Sequence, residues 1–491
     1  MVHSRFVLSA ALIVLFSTTP ARAAVFTVTT TADDVDAAPG DGACAAVGGG
    51  CTLRAAIQEA NALAGADSIS VPAGTYTLTI AGRDEDSAAT GDLDIGGAFG
   101  DDLAITGAGA SATVIDGNGI DRVFHVCPSG FNCVPNNIAI SDLTITGGDP
   151  LTDGGGGLRN RAILTLTRVL VAANVISVAC GAGIDNTDTG TLAVVDSTIR
   201  GNTAGGSGGG GLCNHFGAIA RLNGSLITDN HATGASVAGG GAFNGQTGEL
   251  TLTNCTVSDN TSSGGGGGIF NLGGFGFSRT TLNNVTITNN QAGVSDIWGA
   301  GGGGVGTVYS FGIISVRNTI IAGNSDLAGT APDCGGTLDS QGYNLIQSTT
   351  GCSFSVPTPS DILGSAAGVG PLQNNGGPTD TRELLPGSAA INGGNPAGCE
   401  EWRQGGFFGP VTADQRGIAR PQGPRCDIGA FELVVCGDGT AGPGEQCDDG
   451  NFASGDCCDA TCQLETNGSS CSDGNACTTL DACDGSGTCA W

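Results

Sequence analysis

An eleven-residue segment that closes on asparagine recurs along this chain, and no other feature restricts its fold as much. The members are Leu164 to Asn174, Leu192 to Asn202, Ala220 to Asn230, Leu250 to Asn260, Thr280 to Asn290 and Ile314 to Asn324. The closing residues Asn174, Asn202, Asn230, Asn260, Asn290 and Asn324 step by 28, 28, 30, 30 and 34 residues. An earlier member, Ile138 to Gly148, lacks the asparagine. Most members follow a second marker of the form Gly-x-x-Asn, as in Gly183 to Asn186, Gly211 to Asn214, Gly241 to Asn244 and Gly268 to Asn271.

Within each member the apolar residues alternate, shift phase at a polar residue, and resume. In Leu250 to Asn260 they are Leu250 and Leu252, then Cys255 and Val257 across Asn254. Period two denotes half-buried strands and the shift denotes a corner. One such coil cannot bury its own apolar face, whereas stacked coils can. Stacking predicts one interior column through Leu166, Val194, Leu222, Leu252, Leu282 and Val316 and another through Val171, Ile199, Ile227, Val257, Ile287 and Ile321. The closing asparagines then form a ladder of amides at a turn that tolerates left-handed backbone. The expectation is an all-β, right-handed parallel β-helix. Glycine supports it: about 35 are expected at average usage. The chain has 88, set between periodic Leu, Ile and Val, and these punctuate coils rather than dissolve them.

Charge narrows the partners. All 17 basic residues are arginine, against 46 acidic ones. Nucleic acid and anionic lipid surfaces need a basic footprint and are therefore poor partners. Arg5, the apolar run Ala10 to Phe16 and the small-x-small triplet Ala21-Arg22-Ala23 predict a secretory leader over residues 1–23. No later segment has the length and apolarity of a membrane span. Twenty cysteines suit an oxidising compartment. Nine of them fall between Cys436 and Cys489, which sets off residues 434–491 as a cysteine-rich tail. Nine is odd, so one pairs elsewhere or the tail continues.

Both ends carry specific resemblances. Cys51 to Asn61 (CTLRAAIQEAN), followed by Val71 to Tyr76 (VPAGTY), resembles the CSLREA domain that opens many secreted bacterial β-helix proteins; Ala55 stands where that motif has Glu. The resemblance assigns residues 24–80 to an N-terminal cap, with Leu53, Ala56, Ile57 and Ala60 on one face of a short helix. Asn375 to Thr379, Leu385 to Ile391, Asp414 to Gly417 with Arg420-Pro421, and Cys426 to Phe431 resemble the choice-of-anchor Q region. That implies that residues 371–433 close the solenoid of residues 81–370, with Arg416 and Asp427 as a structural ion pair. Residues Cys436 to Asn451 and Cys457 to Cys462 resemble the myxobacterial-type cysteine-rich repeat.

The chemistry legible in the repeats is sparse. A polysaccharide lyase needs a base beside a uronate carboxylate and a hydrolase needs two placed carboxylates. Arg159, Arg161, Arg168 and Arg200 fall close together in repeat space, and Asp185, Asp188 and Asp196 form the best carboxylate group. Only Arg168 and Asp196 occupy the corner column as candidates for catalysis. His125, His215 and His231 show no metal-ligand spacing. No metal is assigned and no cofactor is expected, save calcium, for which Asp448 and Asp449 are weak candidates. Disulfides are expected for Cys44–Cys51, Cys127–Cys133, Cys334–Cys352 and Cys399–Cys426, each bracketing a short loop, with Cys255 a free buried thiol. The sequence favours a monomeric, non-catalytic surface protein with an adhesive, structural or glycan-binding role, whose partner is an extracellular glycan or a surface protein. The alternative is a polysaccharide lyase or glycoside hydrolase.

Overall fold

A computed structural model describes residues 23–490 apart from 84, 97–101, 129–136, 235–237, 275, 294–300, 309–311, 356–358, 404–406, 435–436, 438–444, 452–453, 460–461, 472–481 and 487–488. Residues 1–22 of the expected leader and Cys133, the expected partner of Cys127, lie outside the described residues. The chain is a parallel β-helix, and one coil shows how it is built. Glu249–Thr253 runs along the first face. Asn254, at φ 51°, turns the corner, and Thr256–Ser258 runs along the second face. Asp259, at φ 60°, and Asn260 lead into the short strand Thr261–Ser262. A glycine run then delivers Ile269–Leu272 to the third face.

Every corner equivalent to Asn254 is left-handed: Asp142, Arg168, Asp196, Gly224, Asn284 and Asn318 lie between φ 48° and 60°. Asn, Asp and Gly adopt this conformation at least cost. That explains the phase shift in each repeat, because the corner residue belongs to neither strand.

The register matches the column alignment. Leu222, Leu252, Leu282 and Val316 stack as Cα partners, as do Ile227, Val257, Ile287 and Ile321, and all eight are buried. Asn174, Asn202, Asn230, Asn260 and Asn290 each donate from Nδ2 to Oδ1 of the next asparagine at 2.9–3.0 Å. Asn324 ends the row on Asp333 Oδ1 at 2.9 Å. A second ladder, Asn160 to Asn186, Asn214, Asn244 and Asn271, runs along the end of the third face at 2.8–2.9 Å. The sequence showed these only as markers.

The last glycine of each run is pressed between the first ladder and the backbone of the next coil. A Cβ on Gly241 would come within 2.7 Å of the Gly268 carbonyl oxygen and 3.1 Å of the Asn260 side chain. Gly241 N–H instead donates to Gly268 at 3.0 Å.

At the N-terminus, Thr52 caps the helix Leu53–Ala62 by accepting from Ala55 N–H. Leu53, Ala56, Ile57 and Ala60 join the main core. The helix is buried beyond this face: Arg54 pairs with Asp33 at 2.6 Å and donates to the carbonyls of Ala88, Gly91 and Asp92.

The segment after residue 369 departs from the expected end-closing position. It runs back along the outside of the second face and its corner as a strap. Arg382 donates to Ser258 and pairs with Asp259 at 2.8 Å. Asn254 donates to the Ala413 carbonyl at 2.9 Å and Asn318 to that of Asp427 at 2.8 Å. Leu384, Ala390, Ile428 and Phe431 pack on the outward side chains Ile320, Ala322 and Leu345. The expected pair of Arg416 with Asp427 does not form. Arg416 pairs with Asp414 at 2.7 Å and lies over the Phe431 ring, and Arg420 pairs with Glu432 at 3.2 Å. Asp427 instead accepts from the N–H groups of Asn392 and Leu433.

The structure joins Cys44 to Cys51, Cys334 to Cys352 and Cys399 to Cys426, and Cys127 is also disulfide-bonded. Cys180–Cys213 links successive coils. In the tail Cys447 joins Cys458, Cys457 joins Cys483 and Cys471 joins Cys489. Cys255 is free and buried, and burial pushes its thiol up to about 12.

Two outcomes check this account. Asn230→Leu strands the Asn202 amide and the Ile199 carbonyl, both partners of Asn230; denaturant unfolding should show a loss of about 3 kcal/mol. Cys255 should stay unreactive toward a thiol reagent until the chain is denatured.

Candidate functional site

The corner column changes character where the strap ends. Under the strap it is amide: Asn254, Asn284 and Asn318 donate to the strap carbonyls of Ala413, Glu400 and Asp427. Beyond the strap it is charged: Asp142, Arg168 and Asp196. A groove of about 710 Å³ opens at this boundary, between the outer side of the second face and the strap residues Leu372 and Pro378 to Asp380. It contains both corner candidates, Arg168 and Asp196, together with Arg200, Thr228 and Asp229.

Arg168 is clamped to Asp142 by two parallel bonds, Nε to Oδ1 at 2.6 Å and Nη2 to Oδ2 at 2.7 Å. This pairing holds the Asp142 carboxyl below its usual range. Arg200 lies 3.8 Å from Asp229. Burial raises the Asp196 carboxyl and Arg168 partly opposes the shift. Thr228 is 3% exposed and its hydroxyl has no hydrogen-bond partner. The groove therefore offers one planar Arg–Asp pair, one looser one, one uncommitted hydroxyl, and apolar side chains at Leu226 and Leu372.

A second charged group lies outside the third face. The outward residues of successive coils there are Asp94, His125, Arg159 and Asp185 in one register. Such alignment of charged side chains is how a β-helix assembles a site, and the sequence reading missed it. The repeat search begins at Ile138, downstream of Asp94 and His125. The signal that could have found it is the residue before the marker asparagine, which runs Arg159, Asp185, Cys213, Phe243 and Phe270.

This column is largely shielded. Asp94, His125 and Asp185 are buried. Arg122 pairs with Asp92 at 2.5 Å, Arg159 with Asp153 at 2.7 Å, Arg161 with Asp188 at 3.0 Å and His215 with Asp185 at 2.8 Å. Burial, with Asp92 beside it, holds the Asp94 carboxyl far above the usual range. Burial and the guanidinium groups of Arg122, Arg159 and Arg161 push His125 down to about 2.

Other candidates stay apart from both places. His231 Nδ1 meets Thr261 Oγ1 at 2.8 Å on the short strand. Asp448 and Asp449 accept from nearby backbone N–H groups of Gly450 and Asn451. Cys213 adjoins Asp185 and His215 but is committed to its disulfide.

No family model and no curated protein matches the chain. Among solved structures, the chain is similar to pectate lyase Pel9A at 14% identity and a TM-score of 0.51, covering 84% of this chain and 97% of that one. The A-module of Azotobacter vinelandii mannuronan C-5 epimerase AlgE6 matches at 15% identity and a TM-score of 0.22, over 61% of this chain and 90% of that module. The first likeness shows the fold. No helix among the described residues is long and apolar enough to cross a membrane.

The His125 environment makes a pH prediction. A histidine whose folded pKa is lowered from 6.5 to about 2 takes up its proton first in the unfolded chain. Its contribution to stability is complete above the unfolded value and is lost as pH falls through the interval between the two. NMR of the imidazole should show His125 neutral at pH 4. The stability advantage of the wild type over His125→Asn should shrink between pH 7 and pH 4.

Proposed function

We propose that this protein is a non-catalytic extracellular surface element that holds a neutral glycan in the groove beside the strap. The observation that carries the reading is the Thr228 hydroxyl, buried in the groove wall without a partner. A buried hydroxyl without a hydrogen bond is costly. A sugar hydroxyl can donate to it and accept from it. Arg168 clamped to Asp142 adds donors and acceptors in a fixed plane, which suits vicinal hydroxyls, and Arg200 and Asp229 stand 3.8 Å apart beside it. A net charge of −29 repels polyuronates and favours an uncharged ligand.

The disulfides support an oxidising, extracellular address. The resemblances at the two ends and in the tail support attachment at a bacterial surface. The fold neighbour is named a pectate lyase, which supports a polysaccharide as the class of ligand.

A glycoside hydrolase or lyase acting in the same groove is the second reading, and Asp196 favours it as a carboxyl raised by burial. Against it, Asp142 is clamped by Arg168 and Asp229 faces Arg200 at 3.8 Å, and a hydrolase needs a second carboxylate placed to act as base or nucleophile.

One experiment separates the readings. The purified mature protein is titrated with a panel of neutral oligosaccharides while reducing and unsaturated ends are assayed. Binding without sugar release is expected. Arg168→Gln should weaken binding by about tenfold or more, the scale of one charge-assisted hydrogen bond, and Thr228→Val by about fivefold, the scale of a neutral one. Thr228→Val should keep its melting temperature, because the hydroxyl it removes has no partner. Sugar release abolished by Asp196→Ala would move the assignment to the enzyme.

A further inference from the structure

Asp86, Asp94 and His125 face one another outside the first coils of the third face. His125 Nδ1 lies 3.5 Å from Asp94 Oδ1 and 3.8 Å from Asp86 Oδ1. One ligand atom from each of the three falls within 4.8 Å of the others. Donors bound to one cation at 2.0–2.2 Å stand about 3–3.6 Å apart, so these atoms need little movement to share an ion.

The Asp94 side chain is fully buried, and its Oδ1, directed at His125, has no hydrogen-bond partner. Its other oxygen accepts from Ala88 N–H at 2.7 Å, which fixes the direction of the carboxylate. A buried acceptor left open in this way is costly unless something fills the position.

The local charges point the same way. Arg122 pairs with Asp92, Arg159 with Asp153 and Arg161 with Asp188. Among the described residues Asp86 and Asp94 make no direct ion pair with an arginine, Arg122 and Arg161 acting on Asp86 only from farther away, and the charged partner each faces directly is His125. Neither carboxylate is neutralised by a guanidinium in direct contact.

We propose that Asp86, Asp94 and His125 bind one divalent transition-metal cation of the zinc or manganese class. One imidazole nitrogen with two carboxylates suits those ions, whereas calcium takes an all-oxygen shell. Asp86 is the half-exposed member, its side chain 42% accessible, and it is the route by which the ion enters. The ion ties the loop carrying Asp86 to two successive coils. The site is separate from the groove, so either assignment can fail without the other.

The test uses the full mature chain stripped with a chelator, then titrated with zinc, manganese or calcium chloride by calorimetry and thermal melting. One zinc or manganese ion per chain should bind and raise the melting temperature. Asp86→Asn and His125→Asn should each weaken binding by about tenfold or more. Asp86→Asn alters a half-exposed side chain, so it should leave the metal-free melting temperature unchanged and serve as the variant that keeps its fold. Absence of binding at about 100 µM metal, binding that survives Asp86→Asn, or a preference for calcium would overturn the proposal.

Discussion

The hydrogen bond from one asparagine amide to the next, repeated from coil to coil, is the constraint on which the rest of this structure depends. In the first ladder the amides also tie successive coils together: Asn230 donates to the Thr228 carbonyl of its own coil and to the Ile199 carbonyl of the preceding one as well as to Asn260. A buried amide satisfied this fully can be replaced only by another of the same shape. This fixes the position of each turn relative to the next from Asn174 to Asn324, while the earlier coils stack in parallel register through their strands without this ladder. It also explains the glycine at the end of each run, because the backbone passing beside the ladder at Gly211, Gly241 and Gly268 has no space for a side chain.

A ladder of this kind leaves the outward surface free to vary, and the molecule uses that freedom unevenly. Where the strap lies, the left-handed corner residues are asparagines whose side chains bond to strap carbonyls. Where the strap ends, the same backbone positions hold Arg168 and Asp196. A single geometric column thus serves first as an attachment line and then as the wall of a groove. The third face divides in a similar way. Its outward column is charged from Asp94 to Asp185 and then becomes the covered cluster of Cys213, Phe243 and Phe270.

What the sequence made legible follows from what repeats. The inward columns through Leu252 and Val257 recur at a spacing close to the coil length, so alignment of the segments found them. The second ladder was visible only as the marker ending in Asn186, Asn214, Asn244 and Asn271, since nothing in one sequence says that two such amides touch. Cys180–Cys213 was missed because its partners stand 33 residues apart, one coil plus a loop, whereas the expected pairs bracketed short loops. Contacts of the strap were beyond reach for a related reason. Asn254 and the Ala413 carbonyl are 159 residues apart with no periodic relation. Asp86 and Asp94 precede the first recognisable repeat, so no alignment placed them beside His125.

The central claim is that the groove at the end of the strap holds a glycan without cleaving it. Hydrogen–deuterium exchange with a bound neutral oligosaccharide tests this most directly. The account predicts slower exchange at Asp196 to Arg200, Leu226 to Asp229 and Pro378 to Asp380, with the sugar recovered intact. Protection confined to the third face, or recovery of the sugar as shortened products, would contradict it.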